Sequence, residues 1–147
     1  MDKLIIRDMQ DDDIPSIMGI EETAFSSPWP AEAFVGEIYK KYSCSKVAVF
    51  EGSIIGYICT SHHFHEANIL DLAVHPDHRR RGVATLLMNE AIKELKTKGC
   101  VFLYLKVRVS NTGARKFYES FEFKVEGFRK KYYDDPEEDA LMMMMRL

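Results

Sequence analysis

"HPDHRRRGVATLL", residues 75 to 87, sets three consecutive arginines against a glycine, a small residue and an apolar run. Upstream, "ANILDLAV" (67–74) reads as a strand. Downstream, Val83, Leu86, Leu87, Ala91, Ile92 and Leu95 keep helical spacing through Lys98, with Glu94 four residues before it. The charge cluster therefore stands on a strand-to-helix turn. A helix N-terminus carries unpaired backbone N–H groups and a partial positive charge, so it attracts phosphate. Gly82 lets the backbone approach a ligand, Ala84 keeps the next turn small, and guanidinium groups grip phosphate oxygens. These features point to a pyrophosphate; the competing reading is a solvated arginine run before a surface helix. The glycines follow neither GxGxxG nor GxxxxGK[ST], which argues against a dinucleotide fold and nucleotide hydrolysis.

Outward from this turn the chain alternates between strand and helix signals. "LIIR" (4–7) reads as a strand, and "DDDIPSIMGIEETAF" (11–25) as a helix with acidic residues and Pro15 at its start. "FSSPWP" (25–30) breaks it before a second short helix, "AEAFVGEIYKKY" (31–42). "SKVAVF" (45–50) and "IIGYICTSHHF" (54–64) are strands joined by Glu51-Gly52-Ser53. After the long helix, "CVFLYLKVRV" (100–109) is a strand, and Ser110 and Asn111 suit the cap of a helix ending near Ser120. "FKVEGFRKKYY" (123–133) and "ALMMMMRL" (140–147) are strands parted by the acidic turn "DDPEED". This order predicts an α/β (α+β) fold around one mixed sheet, as a single domain over residues 1–147.

Composition narrows the function. A net charge of −3 argues against broad nucleic-acid binding, so any phosphate recognition must be local. Three cysteines without a CxxC pair suggest neither a disulfide framework nor a zinc ribbon, and fit a reduced cytoplasmic setting. No apolar run approaches the roughly 20 residues of a membrane span, and the acidic N-terminus lacks a secretory core. A soluble monomer or homodimer without membrane or nucleic-acid contacts is expected.

The arginine turn resembles the R/Q-x-x-G-x-G/A loop of the GCN5-related N-acetyltransferases (GNAT), with Arg79, Gly82 and Ala84 at the matching positions. The likeness covers nearly the whole chain and sharpens toward the RimI-type enzymes, which acetylate protein N-termini, notably of a ribosomal protein. "FSSPWP", "EANILDLAVHPDHRRRGVATLL", "LKVRVSN", "ARKFYESFEF", "RKKYY" and "EDALMM" carry it. The resemblance implies about seven strands, four helices and a splayed strand pair holding acetyl-CoA. Leu72, Ala73 and Val74 would offer backbone groups to pantetheine. Arg80, Arg81, Gly82, Val83, Ala84 and Thr85 would wrap the pyrophosphate, and Asn111 would contact the cofactor from the far strand. Trp29, Tyr132 and Tyr133 would line the acceptor peptide, and Tyr118 would be the acid.

Acetyl transfer needs a neutral amine, a polarised thioester and a proton for the departing thiolate. A phenol of pKa about 10 can protonate a thiolate whose acid has pKa near 8.5 when the two touch. The misfit is Lys106: RimI-type enzymes read L-E-V-R, the Glu being the base, where this chain reads "LKVR". An ammonium accepts no proton unless its pKa is strongly lowered, which Arg108 on the same strand face would encourage. Glu22, Glu66 and Asp71 are alternative bases acting through water. Alternatively little base is needed, because about a third of an α-amine is neutral near pH 7.5, against about 0.1% of a lysine. That favours N-termini over lysine side chains. The runner-up is a small-molecule amine acetyltransferase of the same fold, and a third reading, favoured by Lys106, is a non-catalytic acyl-CoA-binding module.

Other features have plainer readings. "HHFH" (62–65) splits its histidines between strand faces, so no metal is expected. "MMMM" (142–145) reads as a buried strand. Glu122 stands where the family has glycine, implying a relaxed turn in place of one with positive φ.

Overall fold

The structure, a computed structural model, describes residues 4–147. Its strands are β1 (Leu4–Asp8), β2 (Ser43–Phe50), β3 (Ser53–His63), β4 (Glu66–Val74), β5 (Phe102–Arg108), β6 (Lys124–Asp134) and β7 (Glu137–Arg146). The helices are α1 (Ile14–Ala24), α2 (Ala31–Tyr39), α3 (Val83–Thr97) and α4 (Thr112–Glu119). The strands form one mixed sheet in the order β1-β2-β3-β4-β5-β7-β6. This is the fold the resemblance implied, with every expected element present.

Helices cover both faces, as a sheet with apolar residues on each side requires. Ile17 and Ile20 of α1 and Phe34 of α2 bury against Val47, Tyr57 and Ala73 on one face. Val83, Leu87, Ala91 and Leu95 of α3 bury against Ile58, Leu103, Leu105 and Met143 on the other. Helix α3 sits close because β3 carries Gly56: a Cβ there would lie 3.1 Å from the Ala73 carbonyl oxygen and 3.3 Å from side-chain atoms of Val83 and Leu87.

The register contains one irregularity that matters for the site. On β4, Asp71 faces Cys59 and Ile69 faces Thr60, so Leu70 is an extra residue, a β-bulge. Before it, Ala67 and Ile69 point to the α3 face; after it, Leu72 and Val74 do. Asp71 and Ala73 are thereby turned toward α1. An unbroken alternation would have put Asp71 on the α3 side with Ile69.

Several details correct the sequence reading. "DDDIPSIMGIEETAF" divides into a 3-10 turn, Asp11–Asp13, and α1. The turn between β6 and β7 is shorter than "DDPEED", because Glu137 already pairs with Asp134. "HHFH" spans the end of β3 and the turn into β4, so its histidines do not simply alternate on a strand. Of the methionine run, Met143 is fully buried and its neighbours are half-buried.

The turn after α4 is not relaxed. Glu122 adopts φ +71°, so the left-handed conformation persists with a glutamate in it. The turn is held because the Phe123 N–H donates to the Tyr118 carbonyl at 3.2 Å and Phe123 itself is buried. A side chain in this region costs about 1 kcal/mol, which glycine avoids. Glu122→Gly is expected to raise stability by roughly 0.5–1 kcal/mol, read as a higher urea midpoint at unchanged slope.

Candidate active site

Strands β4 and β5 pair in parallel only at Glu66↔Phe102, Ala67↔Leu103 and Asn68↔Tyr104. Beyond Asn68 they part, although β4 stays paired to β3 as far as Val74 and β5 stays paired to β7 as far as Arg108. Peptide groups pointing into the gap have no ladder partner and can bond an extended ligand. Between the parted ends lies a cleft of about 230 Å³.

Two carboxyl groups enter this cleft from one side. Glu21 is only 1% exposed on α1. Its Oε1 accepts from the Tyr57 hydroxyl at 2.6 Å, and its Oε2 accepts from the Trp29 backbone N–H at 2.9 Å. The second bond fixes the chain as it leaves α1 through "FSSPWP". Asp71 is 8% exposed, and its Oδ2 has no hydrogen-bond partner. Burial first, then the adjacent Glu21 carboxylate, push the Asp71 carboxyl up to about 9. Asp71 therefore keeps its proton at neutral pH.

Tyr118 reaches the cleft from α4, its ring packed edge-on to Phe117 and Phe123 with centroids 5.4 and 5.6 Å away. Burial, followed by the field of Asp71, raises its pKa. The phenol keeps its proton across physiological pH, ready to donate. Asn111 also lines the cleft and caps α4, its Oδ1 accepting from the Ala114 N–H at 3.1 Å. Its amide NH₂ is left for a ligand.

Lys106 lines the cleft from β5, its ammonium 5.7 Å from the centre of the Tyr132 ring. Arg108, two residues on, is committed elsewhere. It donates to the Pro136 carbonyl at 2.8 Å and to Glu138 at 3.2 Å, and its guanidinium stacks 4.3 Å from the Tyr133 ring centre. Tyr133 and Trp29 both line the cleft, whereas Tyr132 lies outside it, its ring 5.0 Å from that of Tyr133. The Ser26 and Ser27 hydroxyls donate to the Asp135 carbonyl at 2.9 and 3.0 Å, tying the α1–α2 loop to the β6–β7 turn.

At the other end of β4, a second cavity of about 270 Å³ is lined by Val74, Arg79, Arg80, Gly82, Val83, Ala84 and Thr85, with Phe117 opposite. Arg80 and Gly82 adopt φ +63° and +80°, which turns the chain sharply into α3. No side chain caps that helix, so its first N–H groups stay open to a ligand. Arg79 donates from Nε to the Val74 carbonyl at 3.1 Å, holding the turn against the strand. Arg81 faces a separate hollow with Leu86 and Glu90, and Ala73 lines neither cavity, being buried toward α1.

Of the alternative bases, only Asp71 lies in the cleft. Glu22 is exposed and points away from it on α1. Glu66 is exposed where β4 begins, at the paired end and not at the splay. The cleft carboxylate on α1 is instead Glu21, four residues after Ile17 and seven after Ile14, on the buried stripe of the helix. A glutamate at an apolar-stripe position was the available signal. Among the described residues, no cluster of three or more His, Cys, Asp or Glu is placed to hold a metal.

Comparison with known proteins matches this geometry to one group. The acetyltransferase (GNAT) family model matches residues 14–123. A ribosomal protein bS18-alanine N-acetyltransferase of Salmonella typhimurium is 34% identical over 135 residues, 90% of each chain. The crystal structure of the ribosomal-protein-S18-alanine N-acetyltransferase from Escherichia coli superimposes with a TM-score of 0.89 at 30% identity, over 97% of this chain and 93% of that one. Ard1 from Thermoplasma volcanium gives a TM-score of 0.89 at 26% identity, over 98% of this chain and 97% of that one.

Gly82 has open space where a Cβ would stand, so alanine would act through its φ alone. Gly82→Ala is expected to weaken coenzyme A binding several-fold, worth about 1 kcal/mol, in a calorimetric titration.

Proposed function

The chain belongs to the acetyltransferase (GNAT) family and is an acetyl-CoA-dependent N-acetyltransferase; from that premise we propose that its acceptor is the N-terminal α-amine of a protein, a ribosomal protein foremost. The observation that carries this is likeness over 90% of the chain to an enzyme named for the alanine of ribosomal protein bS18. The bonds from Ser26 and Ser27 to Asp135 support it, because they join the loop carrying Trp29 to the turn after Tyr133, and both aromatic residues line the cleft where a chain terminus would enter. Three free, buried cysteines suit work in the reducing cytoplasm.

The cofactor's diphosphate would lie on the open amides of Val83, Ala84 and Thr85. Its pantetheine would run between β4 and β5, bonding the peptide groups near Leu72 and the Asn111 amide. The acetyl thioester then arrives between Asp71 and Tyr118. The amine attacks the carbonyl carbon, and Tyr118 gives its proton to the sulfur as the C–S bond breaks. Arg108 steadies Tyr133 against the peptide, and Trp29 is held in place through Glu21.

A thiol-release assay with acetyl-CoA tests the acceptor class directly. Peptides with a free α-amine should turn over faster than peptides offering only lysine, by up to several hundredfold, the ratio of their neutral fractions. Equal rates on both, or reaction with small amines alone, would contradict the assignment. Tyr118→Phe is expected to lower kcat about 10²-fold or more with coenzyme A affinity retained. Lys106→Glu places an ionised carboxylate in the cleft, so turnover should rise and its pH dependence flatten; an unchanged or lower rate would count against this arrangement.

A further inference from the structure

The attacking nitrogen must lose a proton, and Lys106 brings an ammonium where the related enzymes bring a carboxylate. The carboxyl groups that do reach the cleft come from the opposite wall. Both oxygens of Glu21 already accept hydrogen bonds, from Tyr57 and from the Trp29 N–H. Asp71 is buried against Glu21, has an oxygen that no N–H or hydroxyl donor reaches, and lines the cleft with Tyr118. The bulge at Leu70 is what turns it there.

On the reading of this site as an N-acetyltransferase centre, we propose that Asp71, positioned by Glu21, is the base that takes the proton from the attacking amine. The nitrogen lone pair forms the C–N bond, and one N–H proton passes to the Asp71 carboxylate. The C–S bond breaks with its electron pair going to sulfur, which takes the Tyr118 proton. The proton on Asp71 then returns to the Tyr118 phenolate, directly or through water, so the cycle closes with no net change. Asp71 and Tyr118 line the same cleft.

The groups facing Asp71 set its titration. Glu21 faces it from α1, and Tyr57 and Cys59 from β3. Tyr118 faces it from α4, while Lys106 and Arg108 of β5 and Tyr133 of β6 line the far wall. Burial and the Glu21 charge both hold the proton on, so Asp71 becomes a base as pH rises toward about 9. That lies above the 7.7–8.0 or so of the acceptor's own α-amine, so the two ionisations are separable.

The test is the pH profile of kcat/KM on an α-amine peptide, beside coenzyme A affinity. The wild type should show a rising limb near 9 in addition to that of the amine. Asp71→Asn should lose the upper limb and about 10²-fold in rate, with coenzyme A affinity within twofold. Glu21→Gln removes a neighbouring negative charge, so the limb should move to lower pH, an effect that a merely structural role would not produce. Asp71→Asn with wild-type rate and limb, or Glu21→Gln with the limb unmoved, would overturn the assignment while leaving the acetyltransferase reading intact. Failure of the wild type to acetylate any α-amine would overturn both.

Discussion

A β-ladder that stops after three residue pairs organises this molecule. β4 and β5 are each fully paired on their outer sides, so neither can close the gap without giving up hydrogen bonds to β3 or β7. The sheet thus contains a permanent opening lined by unpaired peptide groups, where most proteins would have a continuous core. The groups proposed to have a chemical role are arranged around that opening. The amides of α3 sit at one end, the phenol of α4 and the carboxyls of α1 and β4 in the middle, and the aromatic residues of the α1–α2 loop and β6 at the other end.

Electrostatics divides the cleft into two walls. One wall carries the buried carboxyl groups of Glu21 and Asp71; the other carries Lys106 and Arg108, with Arg108 paired to Glu138 and donating to backbone carbonyl oxygens. Lys106 stands where the RimI-type resemblance implied a carboxylate, and the buried carboxyl groups stand on the opposite wall. Buried like charges are costly unless one takes a proton, and that necessity is what gives a carboxyl group a basicity close to that of an amine.

Much of this was legible in the sequence, for reasons that differ by element. The arginine turn could be read because a strand, a glycine and an apolar helix leave the chain few conformations there. Lys106 could be identified as a departure because "LKVR" resembles the L-E-V-R of the RimI-type enzymes at every position but that one. The orientation of Asp71 could not, since "ANILDLAV" carries no mark of the extra residue at Leu70, and a single-residue bulge reverses all later faces. Glu21 was overshadowed by Glu22, because adjacent glutamates on a helix differ only in which side the apolar stripe selects. Glu122 was taken to loosen its turn, yet the bonds around Phe123 hold a glutamate in the left-handed region.

The contact of α3 with Gly56 has one more consequence. With no side chain at Gly56, the start of the helix is seated closely against β3. On the proposed reading, this seating fixes where the diphosphate-binding amides of α3 stand relative to the splayed end of β4. A carrier whose flexible arm is shorter or longer than pantetheine, even with the same terminal groups, would then deliver its acyl carbon to the wrong depth, so the proposed site would select its donor by length as well as by charge.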